Sequence, residues 1–424
     1  MNTKDKIFVQ IAAYRDPQLV PTILDCIENA KYPEKLIFSI CWQNSKDDKF
    51  EDLSQFDDDP RFKIIDINYK ESKGACWARN KIQQQYDNER YTLQLDSHHR
   101  FAEEWDMKLI DMIKQLQESG HEKPLLTSYA PSFDPDNDPD SRTNEAWKMD
   151  FDRFIPEGAI FFLPANVDGW RDLESPYPAR FYSAHMCFTL GKFALEVQHD
   201  PEYYFHGEEI SIAVRAYTHG YDLFHPHIPV IWHEYTRKGR TKHWDDHTGA
   251  DDTINWGTTN SASHLRNRKL FEMDGLKRDI DFGKYGFGTE RTLRDYEKYA
   301  GIHFGKRAVQ KHTLDRKPPP NPVIEDDTEW EDSFTSIFKH CIDVGFDSVP
   351  EEDYNFWCVV FKDADGEEVF RKDADASEVK RLKTDTDGYC KVWREFPVEK
   401  KPASWTVWPH SESKGWCDQI TGCL

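Results

Sequence analysis

The sequence predicts an α/β protein, in which a doubly wound sheet over most of the chain is followed by a small β-rich domain. Short apolar runs alternate with amphipathic helical segments as far as residue 233. A proline-rich stretch interrupts the chain at 317–322, and short alternating segments follow it. Strands that alternate with helices form parallel sheets, which bind ligands beyond the carboxyl ends of their strands.

Apolar periodicity predicts the individual elements. Strands are expected at 7–12, 36–42, 62–65, 91–95, 125–129, 159–163, 181–190 and 230–233. Helices are expected after residue 17 and at 74–85, 106–118, 207–218 and 291–299. The segments 131–152 and 255–268 are expected to be loops. The functional residues are therefore expected after the strands 7–12 and 91–95, at the carboxyl edge of the sheet.

Changes in composition divide the chain into three parts. A main domain is expected at 1–316, an acidic and proline-rich linker at 317–332, and a β-rich accessory domain at 333–424. The accessory domain contains several tryptophans, which invite a sugar-stacking interpretation. Aromatic residues in a small β domain belong to its core more often than to a sugar-binding surface.

Composition also narrows the class of partner. The chain has 424 residues, with 77 acidic and 55 basic side chains and a formal net charge of −22. Nucleic-acid binding requires a basic surface, so no nucleic-acid partner is expected. No apolar run has the length of a membrane span, and the first residues lack a signal-peptide pattern, which together predict a cytoplasmic protein. The nine scattered cysteines are expected to be free thiols.

A chemical motif directly follows the strand 91–95. Asp96 and His98 are two residues apart, with Ser97 between them. A carboxylate and an imidazole at a strand end can hold one divalent cation beside a diphosphate, where the cation stabilises a leaving nucleotide. The alternative is a turn aspartate beside surface histidines.

His233 ends the later strand 230–233 and is the expected third metal ligand. Oxygen and imidazole ligands together suit Mn²⁺ and similar ions, with Mg²⁺ as the alternative. The alternative is a core histidine, since the chain contains 17 histidines. The position at the end of an apolar strand favours a metal site.

Glu208 and Glu209 begin an amphipathic helix directly after Gly207. In the functional interpretation, Gly207 allows the backbone to approach a sugar, and Glu208 contacts sugar or acceptor hydroxyls. In the structural interpretation, acidic residues in a first turn complement the helix dipole. Both interpretations can hold, one for each glutamate, and the sequence does not choose between them.

Two other segments are candidates for nucleotide contact. Gly74 starts a helix and Arg79 lies one turn into it, where helix N-termini and arginines favour a diphosphate. The second segment, suited to a base and a ribose, comprises Ala13, Tyr14, Arg15 and Asp16. The alternatives are an ordinary helix start and an ordinary loop.

These motifs, in this order, resemble those of the polypeptide α-N-acetylglucosaminyltransferases, whose eukaryotic members modify hydroxyproline on a cytoplasmic protein. The resemblance covers about residues 5–305 and rests on 7–16, 74–79, 93–101, 105–106, 206–209 and 291–302. The helix that begins at Glu208 is also similar to one in mucin-type polypeptide GalNAc transferases.

The resemblance implies a GT-A type mixed sheet, UDP-GlcNAc as donor, a Mn²⁺-type cation, a protein or glycan hydroxyl as acceptor, and retention of anomeric configuration. The residues implied at the metal are Asp96, His98 and His233. Those implied at the nucleotide are Arg15, Asp16 and Arg79, with Glu208 near the reacting sugar. A front-face mechanism is expected, in which the leaving phosphate helps to deprotonate the acceptor.

Three alternatives remain open at the level of sequence. A covalent intermediate on Glu208 or Glu209 would replace the front-face mechanism. A transferase that builds a surface or capsule polysaccharide from UDP-GlcNAc or UDP-GalNAc would use the same donor chemistry. A sugar-binding protein without turnover would keep the fold but lack the reaction.

Overall fold

The computed structural model describes residues 5–50, 52–237, 239–250, 253–384, 388–398 and 400–424. The chain forms two compact units, Met1–Trp330 and Glu331–Leu424. Their boundary falls within the segment 317–332. Among the described residues, no helix combines the length and the apolar character needed to cross a membrane.

The strands of the first unit are mostly short. Each strand expected from the sequence has a counterpart near its position, and further strands form that were not expected. The strands are β1 (Ile7–Tyr14), β2 (Leu36–Asn44), β3 (Phe62–Asn68), β4 (Tyr91–Leu95), β5 (His99–Phe101), β6 (Pro124–Thr127), β7 (Trp147–Phe154), β8 (Ile160–Asn166), β9 (Tyr177–Pro178), β10 (Met186–Leu190), β11 (Asp222–His225), β12 (Ile231–His233), β13 (Ile302–His303) and β14 (Ala308–Gln310).

Helices alternate with these strands over most of the unit. They are α1 (Leu19–Glu28), α2 (Ala75–Gln83), α3 (Trp105–Glu118), α4 (Phe193–Glu196), α5 (Glu208–Thr218), α6 (His243–Asp246), α7 (Trp256–Leu270), α8 (Leu293–Ala300) and α9 (Lys311–Leu314), with α10 (Asp327–Asp332) at the unit boundary.

Eight strands form the central sheet, in the order β3–β2–β1–β4–β10–β6–β11–β9. The strand β1 lies between β2 and β4 and is parallel to both. The strand β10 is antiparallel to its neighbours β4 and β6. The chain between β6 and β10 forms a hairpin of β7 and β8 and not the helical crossover that connects parallel strands. The predicted α/β class with a doubly wound mixed sheet is confirmed, whereas the wholly parallel sheet expected from alternation alone is wrong.

Both faces of β1 are covered, which explains its continuous apolar sequence. Val9 and Ile11 face a core that α1 and α3 share. Phe8 faces a second cluster that contains Ala78 and Ile82 of α2. The helices therefore fix β1 from both sides, and the loops after β1 and β4 start from a rigid edge of the sheet.

Two expected loops contain regular structure instead. The segment 255–268 lies almost entirely within helix α7, whose buried residues are Ser263, His264, Asn267 and Leu270. Because three of these four are polar, the helix has no apolar stripe that periodicity could detect. The strand β7 begins at Trp147, inside the expected loop 131–152. The strand expected at 181–190 forms only over Met186–Leu190.

The second unit is β-rich, as predicted. Its elements are β15 (Phe334–Gly345), β16 (Tyr354–Lys362), β17 (Glu368–Arg371), β18 (Ala374–Asp375), α11 (Ala376–Leu382), β19 (Tyr389–Val398), β20 (Ser404–Ser411), β21 (Gly415–Trp416) and β22 (Ile420–Cys423). The strands β15 and β19 form a long antiparallel pair, and β16 pairs with β17, β18 and β20. Trp357 and Phe361 are fully buried in its core, whereas Trp393 and Trp416 are about half exposed.

Candidate active site

A cavity of about 560 Å³ lies at the carboxyl ends of β1 and β4. Its wall also contains the starts of α2 and α5 and the end of β12. The predicted site residues that line it are Tyr14, Asp16, Gly74, Arg79, Asp96, Ser97, His98, Glu208, Glu209 and His233. Motifs far apart in the sequence therefore meet at one cavity.

Ala13 and Arg15 are the two predicted residues that do not line this cavity. Ala13 is fully buried within β1. The guanidinium of Arg15 contacts Asp48 Oδ1 at 2.8 Å and Asp246 Oδ2 at 3.0 Å, and the hydroxyl of Tyr14 donates to the same Asp246 oxygen. Because two carboxylates neutralise its charge, Arg15 holds the loop after β1 in place.

Asp96, His98 and His233 lie together in the cavity wall. The register of β5 and β12 pairs His233 with His99, which brings His233 beside the residues that follow β4. Asp96 Oδ2 lies 3.6 Å from His233 Nε2 and 3.7 Å from His98 Nε2. One potential ligand atom from each of the three residues lies within 4.8 Å of the others. Two separate strand ends thus bring the predicted metal ligands to one point.

These donor atoms fit a divalent cation. Both ring nitrogens of His233 are buried, and neither has a hydrogen-bond partner among the described residues. Burial lowers the pKa of His233 well below its ordinary value, which keeps the imidazole in the neutral form that binds metals. His98 Nδ1 donates to Asp16 Oδ2 at 2.8 Å, so His98 Nε2 faces Asp96. A carboxylate that orients a ligating histidine in this way is typical of metal centres.

Asp16 is occupied by contacts within the protein. Its Oδ2 accepts from Ser97 Oγ at 2.7 Å and lies 3.2 Å from Arg240 Nη1. Burial alone would raise the pKa of Asp16, but His98 and Arg240 together hold the pKa below its ordinary value. The ionised carboxylate therefore positions His98, a role that the sequence did not indicate.

Arg79 joins two carboxylates in the cavity wall. Its Nη2 donates to Asp96 Oδ1 and its Nη1 to Glu208 Oε1, both at 2.7 Å. The residue is only 4 % exposed. Because Arg79 holds one oxygen of Asp96, the other oxygen faces His98 and His233.

Gly74 allows α2 to approach the segment that precedes α5. Its φ is +108°, and a Cβ at this position would lie 2.4 Å from the carbonyl oxygen of Tyr204. The N–H of Ala75 donates to that same oxygen at 3.0 Å. This close contact places Arg79 within reach of Glu208.

Glu208 is an ionised and fully engaged carboxylate. Its Oε1 accepts from Arg79, and its Oε2 accepts from the thiol of Cys76. Burial favours a higher pKa, but the adjacent guanidinium of Arg79 lowers the pKa of Glu208 to about 2. The residue is thus suited to fixing Arg79.

Glu209 is held differently, although it is adjacent in the sequence. Its Oε1 accepts from the N–H of Ala184 at 3.0 Å, and its Oε2 accepts from the hydroxyl of Tyr129 at 3.2 Å. Burial, assisted by the charge of Glu208, raises the pKa of Glu209 to about 8. The two glutamates therefore differ in protonation near neutral pH.

Three cationic residues that the sequence analysis missed also line the cavity: Arg237, Arg240 and Lys242. They lie within a basic run, 237–242, shortly after His233 in an otherwise acidic chain, and this run is visible in the sequence. Arg240 Nη2 lies 3.4 Å from Glu234 Oε2. Cationic side chains beside a potential cation site are suited to binding phosphate groups.

The sequence matches the family described as glycosyltransferase (GlcNAc) over residues 6–58 and 54–306. This region covers most of the chain and contains every predicted site residue. The chain belongs to this family. It is therefore a glycosyltransferase, and the prediction of a sugar-transferring enzyme is confirmed.

A comparison with curated protein sequences finds no match. Among solved structures, the chain is similar to GalNAc-T7 with UDP, GalNAc and Mn²⁺, at 13 % identity and a TM-score of 0.49, over 99 % of this chain and 80 % of that one. It is also similar to TarS 1–349 of S. aureus in complex with UDP-GlcNAc, at 11 % identity and a TM-score of 0.35, over 65 % of this chain and 76 % of that one. Similarity at this level assigns none of the ligands in these structures to this chain.

We expect Asp96→Ala and His233→Ala each to weaken Mn²⁺ binding by at least about 10-fold, because each removes one potential ligand. Mn²⁺ titration followed by electron paramagnetic resonance of the free ion measures the affinity. His410→Ala, on β20 of the second unit, is the matched control and should bind Mn²⁺ as the wild type does. Wild-type affinity in both site variants would remove these residues from the ligand set.

We expect Glu209→Gln to change how stability depends on pH. The pKa of Glu209 rises from 4.5 to about 8 in the folded protein, so between these values the folded state keeps a proton that the unfolded state has lost. The contribution of Glu209 to stability therefore falls as pH rises through this window. Urea unfolding at pH 5 and pH 9 should show a smaller loss in Glu209→Gln than in the wild type.

The exposed Glu118→Gln, at the end of α3, is the control for this comparison and should follow the wild type. An equal loss of stability in Glu209→Gln and the wild type between pH 5 and pH 9 would contradict a protonated Glu209.

Proposed function

We propose that this chain is a metal-dependent, retaining transferase that moves GlcNAc from UDP-GlcNAc to a hydroxyl group of a protein or a glycan. The observation that carries the proposal is the convergence of Asp96, His98 and His233 in a cavity that is also lined by four cationic side chains, those of Arg79, Arg237, Arg240 and Lys242. The family description supports GlcNAc as the sugar. The resemblance to polypeptide α-N-acetylglucosaminyltransferases supports UDP as its carrier.

Asp96, His98 and His233 would hold the cation, with Mn²⁺ or Mg²⁺ as candidates. When bound, the cation neutralises negative charge on the diphosphate as the glycosidic bond breaks. Arg237 and Lys242 supply further positive charge in the same cavity wall, where charge develops on the leaving group. The cavity thus contains cationic side chains beside the carboxylates Asp96 and Glu208, within a chain of strongly negative net charge.

The proposed reaction breaks the bond between C1 of GlcNAc and the β-phosphate oxygen. A bond between C1 and the acceptor oxygen forms on the same face of the sugar, which retains the configuration. The acceptor proton passes to the departing phosphate oxygen, and UDP leaves. No protein nucleophile is required in this front-face mechanism.

The two glutamates favour the front-face mechanism over a covalent intermediate. A carboxylate nucleophile needs an ionised, unengaged oxygen. Both oxygens of Glu208 accept hydrogen bonds within the protein, and Glu209 is protonated below a pKa of about 8. A protonated Glu209 can instead donate a hydrogen bond to a hydroxyl group of donor or acceptor.

An aromatic wall of the cavity is suited to the acceptor. Phe161 of β8 is 41 % exposed, and its ring centroid lies 4.6 Å from that of His206. Trp244 of α6 lines the same cavity. Ring faces of this kind pack against a pyrrolidine or a pyranose, so the wall is compatible with a hydroxyproline peptide or a glycan.

We expect the wild type to release UDP from UDP-GlcNAc in the presence of Mn²⁺ and an acceptor, and to form an α-linked product. Asp96→Asn should lower kcat/KM by at least about 10²-fold, because it removes charge from the candidate cation site. A coupled UDP assay measures turnover, with hydroxyproline peptides and free glycans as acceptors. Nuclear magnetic resonance of the product reports the anomer.

Asp66→Asn, on the exposed side of β3, is the matched control and should retain wild-type kcat/KM. A β-linked product would contradict retention. Release of UDP from UDP-GlcNAc at the same rate with and without a divalent cation would contradict metal dependence.

A further inference from the structure

A second group of potential metal ligands lies beside the first one. It consists of Cys76 on α2, Glu208 at the start of α5, and His199 in the loop after α4. One ligand atom from each of these residues lies within 4.8 Å of the others. Their exposures are 1 % for Cys76, 1 % for His199 and 5 % for Glu208, so the group is almost fully enclosed by protein.

His199 points an unpartnered nitrogen at this group. Gln94 Nε2 donates to the carbonyl oxygen of Ala184 at 2.6 Å, which turns Gln94 Oε1 toward His199. His199 Nε2 lies 2.7 Å from that oxygen and must therefore carry the proton. His199 Nδ1 then presents its lone pair, has no hydrogen-bond partner among the described residues, and lies 3.6 Å from Glu208 Oε2.

We propose that Cys76, His199 and Glu208 form a binding site for a thiophilic divalent cation of the zinc class, distinct from the site at Asp96. Thiolate, imidazole and carboxylate are the ligands that zinc prefers. Binding releases the thiol proton to solvent, and the thiolate and carboxylate then neutralise both charges of the cation. The hydrogen bond from His199 to Gln94 fixes the tautomer, as outer hydrogen bonds do for metal-ligating histidines.

The geometry requires a small adjustment when the cation binds. Cys76 Sγ lies 2.5 Å from Glu208 Oε2, whereas sulfur and oxygen ligands of one tetrahedral zinc are about 3.5 Å apart. A rotation of the Cys76 side chain provides this separation. Glu208 lines the cavity, which gives the cation a route from solvent, and Arg79 can remain on the other carboxylate oxygen.

A simpler role for Cys76 is that its thiol only donates a hydrogen bond to Glu208. This role explains the contact between Cys76 and Glu208, but it leaves Nδ1 of His199 buried and unpartnered, which destabilises the folded protein. A cation that takes all three ligands removes that unsatisfied nitrogen. The two roles differ in whether Cys76 becomes a thiolate in the presence of metal.

Cobalt titration of the full chain, with its thiols kept reduced and oxygen excluded, distinguishes these roles. We expect the wild type to bind two Co²⁺ ions and to show a thiolate-to-cobalt charge-transfer band in the near ultraviolet. Cys76→Ser should lose the band and one bound ion, whereas Asp96→Asn should keep the band. Cys41→Ser, which removes another buried thiol, is the control and should match the wild type.

Absence of the band in the wild type would overturn the proposal, and so would a band that persists in Cys76→Ser. Circular dichroism establishes that the variants fold. If Cys76→Ser does not fold, His199→Gln replaces it and should weaken Co²⁺ binding at this site at least about 10-fold. Because Asp96→Asn keeps the band, failure of the site at Asp96 and failure of this second site give different results.

Discussion

The candidate site depends on the guanidinium of Arg79, which forms ion pairs with both Asp96 and Glu208. A buried guanidinium stabilises the ionised form of both carboxylates. Without it Glu208, which is only 5 % exposed, would be buried with uncompensated charge, at a cost of about 3–5 kcal/mol. Arg79 also sets orientation, because it holds Asp96 Oδ1 at 2.7 Å and leaves Oδ2 toward the two histidines. The geometry of the candidate cation site therefore depends on the position of α2, which contains Arg79.

Secondary structure positions each partner in this network. The sheet edge supplies Asp96, the pairing of β12 with β5 supplies His233, and Gly74 allows α2 to contact the backbone before α5. Substrates and cations bind at such sites without large rearrangement when the supporting shell is rigid. The cavity therefore combines a rigid carboxyl edge of the sheet with a basic segment that follows β12.

The potential metal ligands could be predicted from the sequence because strand ends in α/β sheets are predictable from apolar runs. Asp96 and His233 each follow or end such a run, so their proximity was foreseeable. The contacts of Arg15 and Asp16 within the protein were not foreseeable, since they involve Asp48, Asp246 and Arg240, which no local pattern connects to them. Helix α7 was missed for a related reason: its buried face is largely polar, so its sequence has no apolar stripe.

A crystal structure with Mn²⁺ and UDP, with the ion located by its anomalous scattering, tests most directly whether Asp96, His98 and His233 hold the cation. We expect one strong peak about 2.0–2.3 Å from Asp96 Oδ2 and the Nε2 atoms of His98 and His233, with the diphosphate completing the coordination. A manganese ion bound to the diphosphate but away from these three side chains would contradict this expectation.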